Sequence, residues 1–334
     1  MAFVRAIVQT YQQRRMAPDA ALTKAQITPD DIHQPLGHIT ALQMELLSDH
    51  AMRELDDEAL GWFERRLPWG SYGMLARASI SSPTLGVALQ RWCRHHALLA
   101  GDIALHLHTA EQGTATLEIT EHRDLGVLRE FCLVSTLRNA IGLSSWFIDS
   151  RLPLLGAEFP FAAPAHASDY AVLFPGPTAF GTAQAALRFD ARYLALPLQR
   201  DEAALRVMLQ RALPLTVRQY RRDRLLVQRV RHALATAPEA LHSADTLAAH
   251  LHVSARTLHR QLKEEGASLQ ALKDQARHHK AVELLHRTDR PIKQVAQAAG
   301  FVSEKSFIRA FKGWTGQSPA DFRRRARRPM PDGE

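Results

Sequence analysis

The chain has 334 residues, 46 % of them hydrophobic, with 42 Lys/Arg against 34 Asp/Glu and a formal net charge of +8. That is enough chain for two or three domains, and the absence of any run of about 18 apolar residues excludes a membrane-spanning helix at the level of sequence. Two cysteines, Cys93 and Cys132, exclude a disulfide framework and a four-cysteine zinc site, and the start, Met1-Ala2-Phe3-Val4-Arg5, lacks the apolar run and cleavage site of a secretory leader.

Along the chain, the apolar spacing predicts helices over 38–64 and 84–99. Ile103–His108 and Thr114–Ile119 alternate around Glu111-Gln112-Gly113, the pattern of a β-hairpin. A long, largely apolar helix is predicted over 126–149. Strand-like pieces follow near Leu154–Phe161 and Ala185–Phe189. These elements give an α+β domain over 1–200. A charged helical connector is expected over 201–227, an all-α domain over 228–327, and a tail over 328–334. The basic run Arg323-Arg324-Arg325-Ala326-Arg327-Arg328 reads equally as a helix end that touches phosphates and as a solvated terminus.

Charge divides with the fold. Residues 1–200 carry 17 Lys/Arg against 20 Asp/Glu, and residues 201–334 carry 25 against 14. The basic part is where a polyanion would be met.

That part holds a diverged repeat of about 48–50 residues. Leu247-Ala248 matches Val295-Ala296, Leu251 matches Ala299, and Val253 matches Phe301. After one inserted residue, Leu258, Arg260, Leu262 and Lys263 match Phe307, Arg309, Phe311 and Lys312. Each copy has helix-turn-helix grammar, over about 243–264 and 291–314. Ser243 or Asp245 can cap the first helix of copy one, and Ser254 its second. Pro291 opens copy two, Gly300 ends its first helix, and Ser303 caps the next.

The second helix of each copy is the expected reader of DNA. At about 100° per residue, Leu258 and Leu262 form a buried stripe, which leaves Arg256, His259, Arg260 and Lys263 outward. In copy two Phe307, Phe311 and Trp314 form the stripe, and Lys305, Ile308, Arg309 and Lys312 face outward. A basic face on one amphipathic helix is ordinarily a solvated surface; two at matching positions of a repeat favour a common polyanionic partner. Between the copies, about Ser268–Arg287 reads as one helix of roughly 30 Å, close to one turn of B-DNA, about 34 Å.

The run Ala296-x-x-Ala299-Gly300-Phe301-x-Ser303-x-x-Ser306-Phe307-x-Arg309-x-Phe311-Lys312-x-x-x-Gly316-x-Ser318-Pro319-x-x-Phe322-Arg323 resembles the signature of the AraC/XylS family of transcription regulators. The resemblance implies a seven-helix, double helix-turn-helix DNA-binding domain, double-stranded promoter DNA as partner, contact with RNA polymerase, and activation or repression of transcription. Its base-contact positions fall on Arg256, His259 and Arg260, and on Glu304, Lys305, Ser306 and Arg309. It also implies a cytoplasmic bacterial protein, associated with the nucleoid through DNA.

The first 200 residues resemble the "arabinose-binding" regulatory domain of one AraC subgroup. Leu67-Pro68-x-Gly70-x-Tyr72-Gly73, Ser81-Ser82-Pro83-Thr84-Leu85-Gly86-x-Ala88-Leu89, Phe180 and Leu194-x-Leu196-Pro197-Leu198 carry that likeness. A small-molecule effector and a homodimer are the partners it implies. No catalytic residue, metal site or cofactor is expected. His106 and His108 share a strand face but have no third ligand nearby. Cys93 and Cys132 fit buried structural thiols better than a redox pair. Two alternatives remain at this point: a DNA-targeted enzyme, such as an alkyltransferase with a nucleophilic cysteine, and a DNA-binding protein whose first domain only dimerises.

Overall fold

The computed structural model describes residues 1–34, 37–217, 224–236 and 243–326. They fall into two compact units, Met1–Arg224 and the chain from Leu225 onward.

The first unit opens with helices α1 (Ala2–Gln13), α2 (Asp19–Ala25), α3 (Pro29–His33), α4 (Ala41–Glu54), α5 (Ser71–Ile80) and α6 (Leu85–Leu99). The expected hairpin follows as β1 (Ile103–Thr109) and β2 (Thr114–Glu121). Next come α7 (Arg129–Phe147), β3 (Leu154–Phe159), α8 (Tyr170–Leu173), β4 (Thr178–Phe180), β5 (Ala185–Asp190), α9 (Glu202–Leu209) and α10 (Leu213–Val217). The strands form one sheet in the order β1-β2-β5-β3-β4, antiparallel except for β3 and β4. Leu105 pairs with Ile119, and Leu117 sits between Leu107 and Leu187, so alternate side chains meet on one face. Ile103, Leu105, Ala115, Leu117, Ile119 and Leu187 are all buried. Helix α7 buries 16 of its 19 residues, as a helix apolar on every side must.

The helix expected over 38–64 ends early, at Glu54. The cause is Asp57, fully buried, whose carboxylate accepts from the backbone N–H groups of Ala59, Gly61 and Leu67, each at 3.0 Å, and pairs with Arg14. Such side-chain bonds offer the backbone an alternative to the helical ladder. The helix expected over 126–149 begins with a single 3-10 turn, Gly126–Leu128.

The stretch read as a connector over 201–227 does not stand apart. Its first two helices, α9 and α10, belong to the first unit. Arg211 pairs with Glu45 of α4. Arg138 of α7 donates to the Thr216 carbonyl at 2.8 Å, and Thr216 donates to Asn139 at 2.5 Å. Arg224 donates to Asp149 at 2.7 Å and, through its backbone N–H, to Ser150 Oγ at 2.7 Å. Apolar spacing alone marks these segments as helical but carries no information about the surface they pack on.

Among the described residues the second unit has seven helices: α11 (Leu225–Thr236), α12 (Ala244–His250), α13 (Ala255–Glu264), α14 (Leu269–Arg287), α15 (Ile292–Ala298), α16 (Glu304–Thr315) and α17 (Pro319–Ala326). They build two small cores. One holds Val230, Leu247, Leu251, Leu258, Leu262, Leu269 and Leu272. The other holds Ala281, Leu284, Leu285, Val295, Ala296, Phe307 and Phe311. Helix α14 supplies its first half to one core and its second half to the other, so the two helix-turn-helix copies share one spine.

Candidate nucleic-acid interface

Serine starts the second helix of each copy. Ser254 Oγ accepts from the Thr257 N–H at 3.1 Å to open α13, and Ser303 Oγ accepts from the Ser306 N–H at 3.2 Å to open α16. Ser243 and Ser268 cap α12 and α14 in the same way. Each cap satisfies a backbone donor that the helix leaves open, worth about 1 kcal/mol. Inside each copy the first helix ends in the same turn. Val253 N–H reaches the Ala248 carbonyl at 2.9 Å, and Phe301 N–H reaches the Ala296 carbonyl at 2.9 Å.

The core side of these helices is fixed by Leu258 and Leu262 in α13, and by Phe307 and Phe311 in α16, each at most 1 % exposed. Trp314 packs on Phe301, and His278 of α14 sits between Phe311 and Trp314 with ring centroids at 6.2 and 5.3 Å. Burial, and after it the charge of neighbouring His279, lower the pKa of His278, which favours the uncharged ring in this aromatic wedge.

With the core side fixed, Arg256, His259, Arg260 and Lys263 of α13 are all exposed, as are Glu304, Lys305, Ser306, Arg309 and Lys312 of α16. The two arginines differ. Arg260 Nη1 donates to Glu264 one turn further on, at 2.9 Å. Arg309 has no ionic partner among the described residues. The Ser306 hydroxyl takes a hydrogen bond from Ser303 Oγ at 2.8 Å, so it belongs to the cap as well as to the exposed face. The run after 319 divides: Arg323 donates to the Arg290 carbonyl at 2.7 Å, and Arg324 pairs with Asp321. Arg327 and Arg328 lie outside the described residues.

Two acidic residues escaped the sequence reading. Glu264 carries the Arg260 pair, a contact that its i,i+4 spacing could have signalled. Glu265 accepts from the backbone N–H groups of Leu226 and Val227, at 3.1 and 2.7 Å, and so caps α11 from a distance in sequence that no local pattern reveals.

In the first unit the quoted motifs converge as scaffolding. Glu58 accepts from the N–H groups of Gly70 and Tyr72, both at 2.6 Å. Leu85 N–H donates to the Leu196 carbonyl at 2.9 Å, which seats the start of α6 on the 194–197 segment. The rings of His106 and His108 stack at 6.0 Å, and His108 pairs with Glu118 at 2.9 Å. Among the described residues no group of three His, Cys, Asp or Glu is placed to hold a metal ion. Cys93 and Cys132 are both buried and free. Burial pushes the Cys93 thiol up to about 12 and that of Cys132 upward as well, so neither supplies a thiolate near neutral pH. No described helix is long and apolar enough to cross a membrane.

Two serine-capped, outward-basic helices on one spine, following an α+β unit in the chain, define a regulator that binds DNA through paired helix-turn-helix units. The family described as "Arabinose-binding domain of AraC transcription regulator, N-term" matches residues 16–198, more than half of the chain, and a helix-turn-helix domain family matches residues 247–325. The chain therefore belongs to the AraC family of transcription regulators. It is similar to the ornithine utilization regulator of Pseudomonas aeruginosa, 26 % identical across 97 % of this chain and 95 % of that one. Among solved structures it is similar to the transcriptional regulator CdpR from Pseudomonas aeruginosa, with 21 % identity, TM-score 0.37, and 97 % of this chain and 98 % of that one covered. It is also similar to the DNA-binding domain of AdpA in complex with a target DNA, with 34 % identity and TM-score 0.28, over 32 % of this chain and 97 % of that one.

Proposed function

We propose that α13 and α16 enter successive major-groove segments of a promoter duplex, and that the first unit tunes this binding in response to a small molecule. In this reading Arg256, His259, Arg260 and Lys263 serve one half of the site, and Glu304, Lys305, Ser306, Arg309 and Lys312 the other. Arginine is suited to a bidentate bond with guanine O6 and N7, and glutamate to the cytosine N4 amino group. Lysine chiefly neutralises phosphate. The observation that carries the proposal is the duplication: two exposed basic helix faces at matching repeat positions, joined by the 19-residue α14, about 28 Å long. RNA polymerase and a second copy of the chain complete the proposed set of partners.

Selection of binding duplexes from a random pool, followed by footprinting, tests this. The expected result is an enriched site with two protected segments about one helical turn apart. A single protected segment, or a pool that never enriches, contradicts it. A thermal-shift screen of small polar metabolites tests the effector, with an upward shift of the first unit's transition as the expected result.

A further inference from the structure

We infer that Glu264 is a specificity-determining residue, which confines Arg260 to reading bases while Arg309 can bind bases and phosphates alike. The inference rests on the reading of α13 and α16 as DNA-facing helices. Residues 260 and 264 lie one turn apart on the exposed face of α13, and their side chains pair at 2.9 Å. By the repeat, Arg260 corresponds to Arg309, and Glu264 to Gly313. A side-chain carbon built on Gly313 would meet nothing within 4 Å, so packing does not demand glycine there. Copy two therefore presents a bare guanidinium, and copy one a guanidinium whose charge is matched.

The chemistry of the two arrangements differs. A guanidinium has five N–H donors in a fixed plane. Glu264 occupies Nη1 of Arg260, which leaves the Nη2 and Nε donors for a neutral acceptor pair such as guanine O6 and N7. A phosphate is a poorer partner for this pair, because the carboxylate repels it and the net charge of the pair is zero. Arg309 carries its full charge to either partner. Glu264 thus withholds Arg260 from sequence-independent phosphate binding, where an unpaired arginine would add to affinity for every duplex.

The test uses the full chain and a duplex obtained by selection from a random pool, with a random-sequence duplex beside it. Glu264→Gln keeps the size of the side chain and removes its charge. It is expected to tighten binding to random duplex by about 3- to 10-fold, to steepen the plot of log K against log salt by about 0.9, and to change affinity for the selected duplex by less than threefold. Gly313→Glu is expected to loosen binding to random duplex while the selected duplex loses less. Equal effects of Glu264→Gln on both duplexes, or none on random duplex and its salt slope, overturn the role given to Glu264. Arg260→Ala separates the layers: if it changes binding to neither duplex, the placement of α13 on DNA fails, and the role of Glu264 with it. Thermal melts of each variant confirm that the exposed substitutions leave the fold intact.

Discussion

His252 and Gly300 hold the same place in the two helix-turn-helix copies, and both are left-handed, with φ of 57° and 80°. Each ends the first helix of its copy. His252 N–H donates to Ala249 at 3.1 Å, and Gly300 N–H to Gln297 at 2.9 Å. The turn demands a conformation that glycine adopts freely and histidine does not. Copy two meets the demand with its sequence; copy one carries strain. His252→Gly should stabilise the second unit by about 1 kcal/mol, and Gly300→Ala should destabilise it by a similar amount. A Cβ at 300 meets only the Arg277 Nε, at 3.7 Å, so the cost of that change is conformational. Denaturant midpoints of the two variants check both signs.

His96 gives the first unit a pH dependence. It is buried against the edge of the Phe63 ring, and burial lowers its pKa from 6.5 to about 4. Unfolding exposes the ring and restores the ordinary value, so between pH 6.5 and 4 the unfolded chain binds more protons. The contribution is therefore fully present above pH 6.5 and is lost as pH falls towards 4, by up to about 3 kcal/mol. His96→Phe should flatten stability across that window, measured by urea unfolding at pH 7, 6, 5 and 4. A slope unchanged from the parent protein would place the titration elsewhere.

Gly142 of α7 leaves room for the backbone of α10. A Cβ there would stand 2.2 Å from the Leu215 carbonyl oxygen and 2.8 Å from its carbon, both backbone atoms that cannot yield without moving α10. Gly142→Ala should lower the melting temperature of the first unit and expose the segment after Leu209 to protease. The neighbouring ties, from Arg138 to Thr216 and from Thr216 to Asn139, would loosen with it. Unchanged melting and unchanged cleavage would show that α7 does not hold α10 in place.

The two cysteines should be silent in the folded protein. With both thiols buried and their pKa values raised, alkylation at pH 8 is expected to be slow in native protein and rapid in denaturant. Fast native modification of either residue would contradict their placement.

The second unit was almost wholly legible in the sequence, because its rules are local. Serine before an apolar stripe, glycine after it, and 3.6-residue spacing fix α12 to α16, and the same spacing turns Arg256, Arg260, Lys305 and Arg309 outward. The first unit was legible where alternation is strong, as in the β1–β2 hairpin. It was not legible at Asp57, whose backbone donors are spread over ten residues, nor at α9 and α10, whose docking partners lie far away in sequence. Within the exposed basic faces, the positions followed from periodicity. The difference between Arg260 and Arg309 did not, because it depends on what stands one turn further on.

The most direct test of the account is a titration of the full chain onto its selected duplex and onto a shuffled duplex, at two salt concentrations, with Arg309→Ala alongside. The account expects the selected duplex to bind more tightly than the shuffled one by a factor above about 10³, with affinity falling as salt rises. It expects Arg309→Ala to cost about 1–3 kcal/mol on the selected duplex and distinctly less on the shuffled one. A ratio near one at both salt concentrations, unaltered by Arg309→Ala, would mean that these helices do not read DNA sequence.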